Sequence, residues 1–315
     1  MKQKITGILA VIMAVFLFVS CENDVEKIEI QKLKTYDEQY YKNLREYKKS
    51  DHEISYAYYE SWSPVEGLEG SKDPASWGER IIGLPDSIDI VNLWMGVPTA
   101  ETHPVAYKDM KYAQEKLGTR FVMHGDASHY NHKFTVDGIE YDMENKRNPS
   151  DEIMTAYAKW IVNQVEQAGL DGVDVDYEGW NANDMLRLTV ELSKYFGPKS
   201  PNPEKLLIID FFQVAPPKET IPYCDYFVSQ SYSNQTGGVV YPSGFPHEKM
   251  IYCESFGVFW ADGGKLLEYA RWEPTTGCKG GCGVFFLGRN YYSNSGTPYN
   301  EFRQAIQIMN PAIHK

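Results

Sequence analysis

The stretch Leu170-Asp171-Gly172-Val173-Asp174-Val175-Asp176-Tyr177-Glu178-Gly179-Trp180 constrains the fold more than any other part of the chain. Apolar and acidic residues alternate along it, the period of a β-strand whose successive side chains leave opposite faces. Val173, Val175 and Tyr177 share one face, and Asp174, Asp176 and Glu178 share the other. Three acids in register repel one another, and on a buried face each must be protonated, paired or hydrogen-bonded. An edge strand with a charged solvent face is the plain alternative. Edge strands, however, favour Lys or mixed signs, and here helical stretches flank the strand, which is the setting of a buried parallel sheet. Asp171 is out of phase with the other three acids and reads as a turn or backbone-bonding residue.

Around that strand, short β-rich runs alternate with helical or irregular segments. Eight runs are legible: Glu53–Tyr59, Ile88–Trp94, Arg120–His124, Gly172–Glu178, Leu206–Phe212, Tyr226–Tyr232, Met250–Cys253 and Gly283–Leu287. That is the number that closes a parallel (β/α)8 TIM barrel, and about 250 residues suffice for one. Helices are expected over Val105–Leu117, Asp151–Ala168, Asn183–Phe196, Gly264–Trp272 and Tyr299–Met309, with Ser150 as an N-cap. After the first, fifth and sixth strands the helices are expected to be short or replaced by loops. Between the third strand and its helix, Phe134–Tyr141 alternates around Asp137-Gly138 and predicts an inserted β-hairpin. In the barrel, Glu178 falls at the C-terminal end of the fourth strand, where barrel enzymes place their chemistry, and Asp176 lies about 7 Å deeper.

The N-terminus reads differently. A basic start, Met1-Lys2-Gln3-Lys4, precedes the apolar run Ile5–Val19, too short to span a bilayer comfortably. Residues 1–20 are therefore expected to be a signal peptide; a plain secretory signal and an uncleaved anchor are the alternatives to a lipoprotein signal. Residues 21–51 are polar and charged and read as a tether that becomes a short helix near the first strand, leaving the barrel to residues 52–315. The net charge of −12, without a basic cluster beyond the first residues, argues against nucleic acid and anionic lipid surfaces as partners. Neutral glycans remain compatible. Cys224, Cys253, Cys278 and Cys282 form no convincing zinc pattern; in an exported chain Cys224 could pair with Cys253, or Cys278 with Cys282.

Two motifs carry a resemblance. Asp171-x-x-Asp174-x-Asp176-x-Glu178 resembles the signature of glycoside hydrolase family 18, the chitinases and endo-β-N-acetylglucosaminidases. On the sixth strand, Phe227-Val228-Ser229-Gln230-Ser231-Tyr232 puts Gln230 and Tyr232 on one face; chitinases of the family usually carry Met-x-Tyr-Asp there, and Gln-x-Tyr is similar to the endoglycosidases of Bacteroidetes glycan-utilisation systems. The resemblance implies a retaining reaction in which the substrate's own N-acetyl group is the nucleophile. Glu178 would be the general acid, a role that asks for a buried carboxyl able to keep its proton. Asp176 would steady the oxazolinium nitrogen, Asp174 would share a proton with Asp176, and Tyr232 with Gln230 would hold the acetamido group. Leu17-Phe18-Val19-Ser20-Cys21 resembles a bacterial lipoprotein box, which would make Cys21 the lipidated first residue of an outer-membrane lipoprotein touching the membrane through its lipid alone.

Other residues are candidates for sugar contact by position only. Trp62, Trp94, Trp180 and Trp260 fall at or just after strand ends and could stack on sugar rings or simply pack. His124 and Asp126 follow the third strand, and Arg289 the eighth. The resembling chitinases present a Trp at the end of strand eight, where this chain reads Phe285-Phe286-Leu287-Gly288. The expected activity is hydrolysis of the chitobiose core of N-linked glycans by a monomer, with no metal or organic cofactor. A chitinase of the same mechanism and a non-catalytic glycan-binding lipoprotein on the same barrel are the alternatives.

Overall fold

A computed structural model of the chain describes residues 35–62, 78, 80–125, 133–143, 148–178 and 181–311. Eight parallel strands close a barrel: β1 (Ile54–Tyr58), β2 (Ile90–Leu93), β3 (Arg120–Gly125), β6 (Gly172–Tyr177), β7 (Leu206–Phe211), β8 (Tyr226–Ser229), β9 (Met250–Ser255) and β10 (Gly281–Phe285), with β10 returning to β1. All eight expected strands are present. The expected hairpin is β4 (Lys133–Val136) and β5 (Ile139–Asp142), joined through Asp137 at φ 52° and Gly138 at φ 79°. Two positive φ values in a two-residue loop give the strand twist that such hairpins require.

The alternation read from the sequence sorts residues onto two sides of the sheet. Val173, Val175 and Tyr177 join the apolar layer between the strands and the helices. A separate lumen cluster holds Ile54, Tyr56 and Tyr58 of β1, Leu206 and Ile208 of β7, and Val228 with Tyr232 from β8 and beyond. Gly172 opens β6 at φ 147°, and a Cβ there would meet Leu206 O at 2.1 Å, so only glycine lets β6 start this close to β7.

Outside the sheet lie α1 (Glu38–Lys49), α2 (Pro104–Tyr112) continued by a π-turn over Ala113–Leu117, α3 (Asp151–Ala168), α4 (Ala182–Leu192), α5 (Ser233–Thr236), α6 (Phe256–Phe259), α7 (Leu266–Arg271) and α8 (Asn300–Met309). Ser150 caps α3 by accepting from Ile153 N at 3.3 Å, and Gly169 ends it in the left-handed region. The connection after β7 contains a 3₁₀ turn at Lys218–Thr220, and the one after β8 contains the four residues of α5 and a 3₁₀ turn at His247–Lys249, as expected for helices replaced by loops.

Two expectations need correction. Residues 35–51, read as a tether becoming a short helix, do form that helix but belong to the compact unit Thr35–Lys315. There α1 packs beneath the barrel, with Tyr41, Leu44 and Lys48 buried; Lys48 Nζ donates to Ile88 O at 2.5 Å and to Thr119 Oγ1 at 2.8 Å. The suggested disulfides do not form, and Cys224, Cys253, Cys278 and Cys282 are all free thiols. Cys224 lies in the outer apolar layer and Cys253 in the lumen, so the sheet separates them. Cys278 is exposed, whereas Cys282 is buried with its Sγ 3.3 Å from Met309 Sδ.

Candidate active site

β6 delivers its acids to the lumen because both neighbours hold its register. Asp171 Oδ2 accepts from Phe121 N at 2.9 Å and from Gln114 Nε2 at 2.7 Å, which ties the entry of β6 to β3. This is the backbone-bonding role expected of a residue out of phase with the other acids. From that anchor Asp174, Asp176 and Glu178 climb from the depth of the barrel to its mouth. Asp174 is fully buried, and Glu178 is exposed at the end of the strand rather than buried as its expected role suggested.

Asp174 is held by donors from the first two strands. The Tyr56 hydroxyl and Asn92 Nδ2, the latter at 2.9 Å, both donate to Asp174 Oδ2. Burial, and then the nearby Asp210 charge, push the Asp174 carboxyl well above the ordinary carboxylate range, against which those two donors work. Asn92 Nδ2 also lies 3.3 Å from His124 Nδ1. Because an amide nitrogen can only donate, the network assigns the proton of a neutral His124 to Nε2, which stands 3.9 Å from Asp176 Oδ2. His124 is thus brought to the acids.

Gln230 and Tyr232 arrive from the other side. β8 ends at Ser229, shorter than expected, yet Gln230 N still bonds Phe211 O at 3.0 Å, so the alternation carries past the strand end. The irregular backbone beyond is held from outside the barrel: the Tyr269 hydroxyl donates to Ser231 O at 2.5 Å, and buried Glu254 accepts from Ser233 N at 2.9 Å. Tyr232 is nearly buried, stacked against Phe212 at 6.2 Å and Phe285 at 5.7 Å. Burial first, then Cys253 and the acids Asp210, Glu178 and Asp176, raise its phenol well above the ordinary value, so it stays a neutral donor.

One lumen acid was missed in the sequence. Asp210, on β7, is fully buried and pairs in register with Asp176. Gln230 Nε2 donates to its Oδ1 at 3.0 Å. It hides in Leu206-Leu207-Ile208-Ile209-Asp210-Phe211, an apolar run with no visible alternation; the only signal was its phase with Leu206 and Ile208.

The aromatic candidates separate cleanly. Trp62 is buried in the outer apolar layer, edge-on to His103 at 5.1 Å, and has no free face for a sugar; of its two expected roles it takes packing, and its candidacy for sugar contact falls. Trp94 stands half-buried at the mouth, edge-on to Phe285 at 5.1 Å and Phe286 at 5.2 Å. Phe286 adopts φ 61°, a left-handed conformation that costs a non-glycine residue about 1–2 kcal/mol. The mouth therefore has an aromatic wall built from Trp94, Phe285 and Phe286. Arg289 is exposed at this rim, donating to Gly257 O at 2.8 Å with its guanidinium 4.4 Å from the Phe286 ring centre. Trp260 is partly exposed on the neighbouring turn. Asp126, Trp180 and Cys21 lie outside the described residues. From Asp176, His124 and Trp94 a cleft of about 850 Å³ leads past the 96–101 loop to Gln164 and Gln167.

Known proteins match this arrangement. The profile of glycoside hydrolase family 18, BT1044-like, matches residues 22–242. Endo-beta-N-acetylglucosaminidase F2 of Elizabethkingia meningoseptica is 30% identical over 311 residues, covering 85% of each chain. Among solved structures, the endo-beta-N-acetylglucosaminidase of Cordyceps militaris superposes with a TM-score of 0.66 at 23% identity, covering 89% of this chain and 98% of that one. A putative chitinase A of Streptomyces coelicolor superposes with a TM-score of 0.55 at 12% identity, covering 81% and 98%. At those identities the two structures speak for the fold alone.

Proposed function

Because the chain belongs to glycoside hydrolase family 18 and is a glycoside hydrolase, we propose that it is an endo-β-N-acetylglucosaminidase cutting the chitobiose core of N-linked glycans between its two GlcNAc residues. The observation that carries this reading is the convergence, at one barrel mouth, of the β6 acids with Gln230 and Tyr232. The named activity of the relative similar over 85% of both chains, together with the Gln-x-Tyr pairing, favours the N-glycan core over chitin.

In this reading Glu178, at the open end of the row, protonates the leaving glycosidic oxygen. The carbonyl oxygen of the substrate's N-acetyl group attacks C1 and forms an oxazolinium ion, so the protein needs no nucleophile of its own. Asp176 takes the hydrogen bond of the acetamido N–H and balances the charge that develops on that nitrogen. Asp174, buried beneath and fixed by Tyr56 and Asn92, shares a proton with Asp176. The Tyr232 phenol donates to the acetamido oxygen, and its stacked ring fixes the direction of that bond. Gln230 spends one N–H on Asp210 and keeps its carbonyl and second N–H for the sugar. Glu178, now a base, activates the water that opens the ring, and configuration is retained.

The test is incubation of the purified protein with a panel of N-glycoproteins and with chitin, followed by product mass measurement. Loss of glycan that leaves a single GlcNAc on Asn supports the reading. Oligomers released from chitin alone would make the protein a chitinase; binding without release would make it a glycan-binding protein. The chain is further read as an exported lipoprotein anchored at the outer membrane through Cys21, on the strength of the Leu17–Cys21 box. Fatty-acid labelling of the protein in cells, lost in Cys21→Ala, is the expected result.

A further inference from the structure

The roles above leave one lumen carboxyl without a task. Asp210 faces Asp176 across the β6–β7 register and sits above the apolar pair Leu206 and Ile208. Its Oδ1 accepts from Gln230 Nε2, and the buried Tyr58 hydroxyl of β1 also turns toward this carboxyl. The titratable groups around it are Tyr56 and Tyr58 on β1, Asp174 and Asp176 on β6, Tyr232 beyond β8 and Cys253 on β9. None of these brings a positive charge. His124 approaches Asp176 from the β3 side. An ionised Asp210 would confront two further acids, fully buried and with no cation beside it, which such a site does not tolerate. A proton makes the carboxyl a donor; Asp174 and Asp176 both share a hydrogen bond with it, and Asp176 is the one paired directly opposite in the β6–β7 register while Asp174 already takes the Tyr56 and Asn92 donors.

We infer that Asp210 is a positioning residue of the hydrolysis: a carboxylic acid that accepts from Gln230 through one oxygen and donates to Asp176 through the other. One side chain then sets both groups that face the acetamido end of the substrate, and it does so from behind them without touching the sugar. Burial, followed by the charge of Asp176 and the bond shared with it, raises the Asp210 carboxyl well above its ordinary value, in keeping with an acid that retains its proton. The assignment of a positioning role rests on the endoglycosidase reading above.

The chemistry names its own control. Asparagine reproduces a protonated aspartate, since its oxygen accepts from Gln230 and its Nδ2 donates to Asp176. Asp210→Asn should therefore keep kcat within about threefold of the parent, whereas Asp210→Ala, which loses both bonds, should lower kcat by about 10- to 100-fold with KM little changed. A parent-like kcat in Asp210→Ala overturns the proposal. So does an Asp210→Asn protein as impaired as Asp210→Ala, since the charge rather than the proton would then matter. Infrared difference spectra decide the protonation independently of any substrate: the carboxylic C=O band of the parent at neutral pH should lose intensity in Asp210→Asn. An unchanged band overturns the proposal even if the glycoprotein panel is cleaved. If the panel is not cleaved, the endoglycosidase reading fails by itself, and the band still decides whether Asp210 carries the proton.

Discussion

Tyr232→Phe isolates one hydroxyl. The ring is gripped between Phe212 and Phe285, at interplanar angles of 28° and 27°, and phenylalanine preserves both stacks. What is lost is one hydrogen bond to an acetamido oxygen whose carbonyl becomes polarised as it attacks C1. A bond to a charged or strongly polarised group contributes about 1.5–3 kcal/mol. At about 1.36 kcal/mol per decade this amounts to roughly one to two decades in rate. The hydroxyl aims that oxygen at C1 before the attack, so the loss should fall on kcat with KM changing little. The assay is the initial rate of glycan release from one N-glycoprotein, read by mass spectrometry, beside thermal unfolding of both proteins. The unfolding midpoint should be the same for the two. Tyr232→Ala is the contrast, since removing the ring opens a cavity and should destabilise the fold by about 3–5 kcal/mol. A Tyr232→Phe enzyme within about threefold of the parent, at an unchanged midpoint, would refute the role given to the hydroxyl.

Glu178→Gln should lower glycan release by about 10²- to 10⁴-fold while leaving glycan binding measurable by calorimetry; because the side chain is exposed, the unfolding midpoint should hold, and full turnover would discard the acid assignment. Tyr56→Phe strips Asp174 of one of its two donors and should cost about 1–3 kcal/mol in urea unfolding; parental stability would mean that the Tyr56 hydroxyl does not hold Asp174. Glu60 follows β1, and burial pushes its carboxyl up from 4.5 to about 7. The folded protein thus holds this proton more tightly than the unfolded chain, so the contribution is full below about pH 4.5 and is lost as pH rises through about 7. The unfolding midpoint of Glu60→Gln minus that of the parent should therefore grow more positive between pH 5 and pH 8, and a constant difference would contradict the shift.

What could be read in advance depended on whether a residue's environment left a local mark. The acids of β6 did, because polar and apolar residues alternate there and strand geometry alone assigns their faces. The hairpin did as well, since Asp137-Gly138 carries the dihedral signature of its own turn. Asp210 did not. A strand buried on both sides is apolar at nearly every position, and only the closed register with β6 reveals that its single acid points into the lumen. Trp62 was ambiguous for a related reason: its distance from a strand end is visible in the sequence, but the direction of its indole is set by packing against the outer layer. Residues 35–51 look polar and loose because α1 buries only a narrow stripe, and its anchor is a lysine that reaches two acceptors brought together by strands distant in the chain.

That anchor has an orienting effect. Lys48 grips the carbonyl that leads into β2 and the threonine that leads into β3, so the chain enters the folded unit under the barrel, at the opposite pole from Glu178 and Tyr232.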